Sequence, residues 1–195
     1  MLRGFAALVA LLVFSFAFGA PEPALLSGAF DPPRVAPDFS LKGSDGADLK
    51  LSRYKGKVVA LGFGYSSCPD ICPTTLFYLA QAKEKLGAAG KDFQVVYITV
   101  DPERDSVERL GKYLASYDKT FVGGTGTPEQ LAAVRKDYGI QVSRQPPLAG
   151  NPSMYFIHHS SFVYLIDREG KIRAMMPYGM SPDDMAHDAK ALLGK

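Results

Sequence analysis

The run Lys57-Val-Val-Ala-Leu-Gly-Phe-Gly is apolar nearly throughout and only strand length, so it reads as a strand buried on both faces of a sheet. Phe93-Gln-Val-Val-Tyr-Ile-Thr-Val repeats the pattern and ends at Asp101-Pro102. Between the two lies a helical pattern from Pro73 to about Gly87, with Leu76, Leu79 and Leu86 on one side. Two buried strands joined through a helix make a parallel unit, because parallel neighbours need a long crossover. A chain built around such a unit must cover both faces of its sheet.

The rest of the sequence extends this unit in both directions. Upstream, Asp38-Phe-Ser-Leu and Asp48-Leu-Lys-Leu alternate around Gly-Ser-Asp-Gly, a hairpin signal. Downstream, helices are expected near 106–116 and 127–138. The second opens with Thr127-Pro-Glu-Gln: a capping threonine, a proline at the first helical position and a glutamine that closes a capping box. Residues 145–152 carry three prolines and read as loop. Tyr155-Phe-Ile-His-His and Phe162-Val-Tyr-Leu-Ile-Asp read as paired strands or one bent strand, turned by Arg168-Glu-Gly, and Ser181-Pro-Asp-Asp opens a C-terminal helix. Hairpin, βαβ, further helix and ββα in that order predict an α/β, thioredoxin-like fold: a central mixed sheet flanked by helices, with an N-terminal β-hairpin. A chain of 195 residues with 47% hydrophobic content holds one full core, placed here over residues 38–195. A net charge of +2 with no basic stripe argues against a nucleic-acid partner, and a monomer is expected.

Residues 1–20 carry one basic residue, Arg3, followed by an uncharged run of Ala, Leu, Val and Phe, with Ala17, Gly19 and Ala20 as small residues near its end. This is the pattern of a secretory signal, or of a membrane anchor at the short limit of the ~20 residues that span a bilayer. Either way the body is expected outside the cytoplasm, in a bacterial periplasm or on the outer face of the cytoplasmic membrane, anchored there by residues 4–20 if the segment is retained. Residues 21–37 are rich in proline, lack periodicity and read as a linker.

The chain's two cysteines stand in Ser66-Ser-Cys-Pro-Asp-Ile-Cys-Pro-Thr-Thr-Leu, directly after the first buried strand. Such a pair begins a disulfide staple, a redox dithiol or a metal site. A staple closing so short a loop constrains the unfolded chain little. Pro73 fits the first turn of a helix and disfavours helical dihedrals at Cys72, which makes Cys72 the expected N-cap. Free N–H groups at that helix start would lower its thiol pKa, as both redox exchange and metal binding require. Redox pairs of the thioredoxin type have two residues between their cysteines; here three intervene, which lets both sulfurs converge on one ion. Soft thiolates favour Cu(I), or Zn(II) if further ligands arrive. The third ligand would come from His158, His159 or His187. His187 lies among Asp183, Asp184 and Asp188 and reads as a solvated surface group, whereas His158 and His159 sit in an apolar strand where neighbours face opposite ways.

Four segments together carry a resemblance: Phe63-Gly-Tyr-Ser-Ser-Cys-Pro-Asp-Ile-Cys-Pro, Thr99-Val-Asp-Pro-Glu-Arg-Asp-Ser, the His159-Ser stretch before Tyr-Leu-Ile-Asp, and Tyr178-Gly-Met-Ser-Pro-Asp-Asp-Met. In this order they resemble the Sco/SenC family, copper-binding thioredoxin-like proteins of cytochrome c oxidase assembly, over about residues 36–193. The resemblance implies copper ligation by Cys68, Cys72 and His159. Where the family carries an aspartate before its histidine this chain has His158, which leaves open whether His158 assists or substitutes. The implied cargo is Cu(I), and Cu(II) with added oxygen or nitrogen ligands. The implied partner is the copper-binding subunit of cytochrome c oxidase, beside other periplasmic copper chaperones or thiol reductases. An alternative uses the same Cys68 and Cys72 as the catalytic pair of a thiol–disulfide oxidoreductase that reduces partner cysteines before copper insertion. Met154, Met175, Met176 and Met180 read as gap-fillers before accessory ligands, and Asp101-Pro102 as a helix-entry turn before a binding residue.

Overall fold

The computed structural model describes residues 24–148 and 151–194. Its centre is the expected parallel unit. Strand β4 (Val58–Gly64) pairs in parallel with β5 (Phe93–Thr99), and β5 with β6 (Val122–Thr125). Every residue of β4 and β5 is buried, as strands covered on both faces must be. Antiparallel strands extend the sheet on both sides. Next to β4 come β9 (Val163–Ile166) and β10 (Lys171–Met176); next to β6 comes the hairpin of β2 (Ser40–Gly43) and β3 (Asp48–Lys50). The sheet is therefore mixed and thioredoxin-like, with the expected hairpin as one wing.

Four helices cover it: α1 (Ile71–Lys85), α2 (Val107–Ala115), α3 (Pro128–Asp137) and α4 (Pro182–Leu193). Their starts follow the caps read in the sequence. Ser106 and Ser181 accept from Arg109 N and Asp184 N, and Thr127 with Gln130 forms a complete capping box. Among the described residues no helix is long and apolar enough to cross a membrane. The leader expected over residues 1–20 lies outside the described residues.

Three expectations are corrected, and one strand, β6, stands where the sequence carries no signal. The stretch expected as linker contains β1 (Gly28–Val35), which pairs antiparallel with β10 as the edge of the main sheet. Its proline pair falls where the register shifts between Ala29 and Arg34, a position at which a missing N–H donor is tolerated. Second, β6 was not legible: Val-Gly-Gly-Thr has the composition of a turn. Its glycines are there for packing, since a Cβ on Gly123 would lie 2.5 Å from Leu110 Cδ2 and one on Gly124 2.7 Å from Leu49 Cδ2. Third, the His-His strand does not pair with its successor. Strand β8 (Ile157–His159) joins β7 (Val142–Arg144) in a separate two-stranded ribbon, and the chain enters the main sheet only at Val163. Fourth, α1 begins at Ile71, so Cys72 is a helical residue and Asp70 takes the cap position. Pro73 sits within the first turn, where an N–H would have had no helical acceptor, so it does not exclude Cys72 from the helix.

Candidate functional site

The cysteine loop leaves the C-terminal end of β4 and turns at once, Cys68 N donating to Tyr65 O at 3.2 Å. Its shape is set by one buried carboxylate. Asp105, 1% exposed, accepts from Ser66 N at 3.0 Å, from Ser66 Oγ, and from Thr99 Oγ1 at 2.7 Å, which ties the loop to the end of β5. Arg109 closes over it from α2, with Nε 2.8 Å from Ser66 Oγ and Nη2 2.9 Å from Ser67 Oγ. From the other side Tyr65 Oη accepts the Ile157 N–H at 3.1 Å, joining the cysteine loop to the strand that bears the histidines.

That strand is held by a second cluster. Tyr155 Oη donates to the buried Asp101 at 2.7 Å, and the Tyr155 ring is stacked by Arg104 and Arg144, each 3.7 Å from its centroid. Arg104 also pairs with Asp101 and donates to Tyr155 O at 3.1 Å. Asp101 thus does more than shape a turn: it fixes the register of β8 against the sheet. Residues Asp105, Arg109, Tyr65 and Tyr155 carried no signal strong enough to single them out in the sequence. A pair of acids just beyond a buried strand was the hint available.

Within this frame Cys72 stands beside both Cys68 and His159. Cys72 is buried and Cys68 half-buried, and both thiols are free. His159 Nε2 lies 3.4 Å from Cys72 Sγ, while its Nδ1 is 2.8 Å from Ser160 O. A carbonyl only accepts, so Nδ1 carries a proton, and Nε2 is the nitrogen turned toward the sulfur. Tyr65 stands edge-on to the ring at 6.0 Å. His158, one residue earlier, is exposed on the opposite face of β8, and His187 is exposed on α4. Met176 and Met180 are buried, whereas Met154 is 52% exposed. Among the described residues no group of three or more Cys, His, Asp or Glu is already placed to hold a metal ion; the donors adjoin in pairs, Cys72 with His159 and Cys72 with Cys68.

The two thiols are electrostatically unequal, and in the reverse of the expected sense. Cys68 is pulled down to about 3, first by the hydrogen bond from the Cys72 thiol and then, against the penalty of burial, by a hydrogen bond to His159 and by the N–H groups of Asp70 and Cys72 at the start of α1. Cys72 is pushed well above its ordinary value, because it donates to Cys68 and because it is buried. The free N–H groups at the helix start therefore serve Cys68. Cys72, lying inside the first turn, cannot face them.

The model of the SCO1/SenC family matches residues 28–194. The chain belongs to this family. A SCO2-like protein of Rickettsia conorii is 34% identical over 152 residues, covering 78% of this chain and 74% of the relative. Among solved structures, Bradyrhizobium japonicum ScoI with copper bound superposes with a TM-score of 0.73 at 30% identity, over 81% of this chain and 99% of that one. The apo Sco1 protein of Thermus thermophilus reaches 0.72 at 32% identity, over 90% and 98%. For this SCO1/SenC chain the match spans β1 as well as the domain proper, so the edge strand belongs to the family fold.

Proposed function

We propose that the chain is a copper chaperone that holds one copper ion through Cys68, Cys72 and His159 and passes it to the copper-binding subunit of cytochrome c oxidase. One observation carries this reading: Nε2 of His159 stands 3.4 Å from Cys72 Sγ, beside Cys68. Bonds from sulfur or imidazole nitrogen to a metal run about 2.0–2.3 Å, so a sulfur and a nitrogen on one ion sit about 3.6–3.8 Å apart, which this pair reaches by opening a few tenths of an ångström. Two sulfurs and one imidazole are a soft donor set that favours Cu(I), with Cu(II) taking added oxygen or nitrogen ligands. The copper-bound relative from Bradyrhizobium japonicum supports the same cargo.

Loading needs little rearrangement of charge. Cys68 is already a thiolate, and the ion displaces the single proton that Cys72 shares with it. The ring of His159 stays oriented by Ser160 O. On transfer, a thiolate of the partner reaches the ion on the side of half-exposed Cys68, and Cys72 regains its proton as the ion leaves. The ion passes between ligand sets without entering water. Exported placement, in the periplasm or on the outer membrane face, is part of the same proposal and fits a leader outside the described residues.

The test is a Cu(I) titration of the full reduced chain against a competing chelator. One ion per chain is expected, with His159→Ala weakening binding by roughly a hundredfold and His158→Ala by less than about threefold. Weak binding, or indifference to His159, would instead favour the oxidoreductase reading, which the pairing of a half-exposed Cys68 thiolate with a protonated, buried Cys72 also suits. Dithiol exchange has no need of the imidazole.

A further inference from the structure

Tyr97 lies in β5 directly opposite Gly62 of β4 and is 1% exposed. Its ring passes over the two glycines of β4. A Cβ on Gly62 would fall 3.0 Å from Tyr97 Cδ2; a Cβ on Gly64 would fall 1.8 Å from its hydroxyl and 2.7 Å from Cys72 Sγ. The hydroxyl and the sulfur therefore share one small space above Gly64. Most phenols buried this deeply hydrogen-bond, and the partner the fold supplies is the Cys72 sulfur. Cys72, Tyr97 and His159 also line the same narrow crevice, with Ile71 and Phe162.

We propose that Tyr97 is a positioning residue of the dithiol: its hydroxyl donates to Cys72 Sγ and holds that sulfur toward His159, and positions 62 and 64 are glycine so that the ring can reach it. The donor stabilises the electron-rich sulfur, both in the reduced pair and under a bound metal. The metal-loaded half of this proposal rests on the copper reading above; the metal-free half stands without it.

Tyr97→Phe removes the donor and keeps the ring. Three readouts are expected to move together. Cu(I) affinity falls about tenfold, the loss of one hydrogen bond to a charged acceptor. The Cu(II)–thiolate absorption shifts to longer wavelength, because the donor lowers the energy of the sulfur lone pairs. In the metal-free chain, a reference dithiol gives two electrons and one proton to the Cys68–Cys72 disulfide, its second proton going to solvent, about tenfold less favourably, a move of about 30 mV to more negative potential. Gly62→Ala, whose Cβ presses on the Tyr97 ring and does not meet the sulfur, should move them in the same direction. Tyr54→Phe, which deletes a buried hydroxyl that has no hydrogen-bond partner and faces neither cysteine, should not. If a folded Tyr97→Phe chain keeps affinity, absorption and potential within twofold equivalents, the proposal is overturned. If the wild-type chain binds no Cu(I), the copper reading falls, and the potential of the metal-free pair alone decides the role of Tyr97.

Discussion

The Cys68 sulfur is stabilised as a thiolate from three directions, the Cys72 thiol, His159 and the N–H groups at the start of α1, and these together outweigh the penalty of its partial burial. An ordinary thiol, with a pKa near 8.5, loses about tenfold in thiolate for each unit the pH falls below that value. Cys68 has its pKa depressed, so its thiolate persists as the pH falls and is lost only when the pH passes through the depressed value. Alkylation by iodoacetamide, followed by mass spectrometry, should therefore give a Cys68 rate that is flat between about pH 8 and pH 5. Cys72 should stay unreactive across that range. Cys72→Ala removes the largest cause of the depression and should return a slope to the Cys68 profile within the window. A falling wild-type rate below pH 7 would show that the shared proton does not sit on Cys72. Which cysteine is activated was not legible in the sequence, since Pro73 marks the helix start only to within a residue or two. The histidine was partly legible: alternation on a strand requires that His158 and His159 diverge, but only the tie from Tyr65 to Ile157 decides which of them faces the sulfurs.

Between residues and fold stand the two clusters that hold the cysteine loop and the β7–β8 ribbon in register. Asp105 gathers an N–H and two hydroxyls with its side chain fully out of solvent, and the nearest cation, Arg109 Nε, is 3.9 Å away and largely exposed. Asp105→Asn keeps the shape but turns an NH2 group against donors. It is expected to lower unfolding free energy by about 2–3 kcal/mol in urea, and to weaken Cu(I) binding as the loop loosens. Tyr155→Phe leaves the buried Asp101 without its hydroxyl donor while Arg104 still pairs with it, so a smaller loss of about 1 kcal/mol is expected. Elements built on local chemistry were legible for that reason: caps at Ser106, Thr127 and Ser181, and unbroken apolar runs for β4 and β5. The elements missed owe their existence to distant partners. Strand β6 is a strand because Leu110 and Leu49 need its two glycines, and β7 because β8 passes beside it.

At the scale of the molecule, the least legible feature is the edge. Strand β1 is exposed along nearly its whole length, so it lacks the apolar alternation by which a strand announces itself. What fixes it is a single buried carboxylate far along the chain. Asp188 of α4, fully buried, accepts from Leu26 N at 2.8 Å, from Ser27 N at 2.9 Å and from Ser27 Oγ, and His187 Nδ1 lies 3.1 Å from it. The clamp draws the N-terminal segment onto α4 just before it enters the sheet beside β10. Asp188→Ala strands these donors and is expected to cost about 3 kcal/mol of unfolding free energy in urea. Ser27→Ala should cost about 1 kcal/mol. Because both changes break one network, the double variant should cost close to Asp188→Ala alone rather than the sum. The same variants should expose β1 locally: limited proteolysis is expected to cut Asp188→Ala between residues 24 and 36 well before the rest of the domain, and the wild type not at all on that timescale. Additive losses, or equal protection of that segment in both proteins, would mean that β1 is held by its ladder with β10 and that Asp188 merely packs against it.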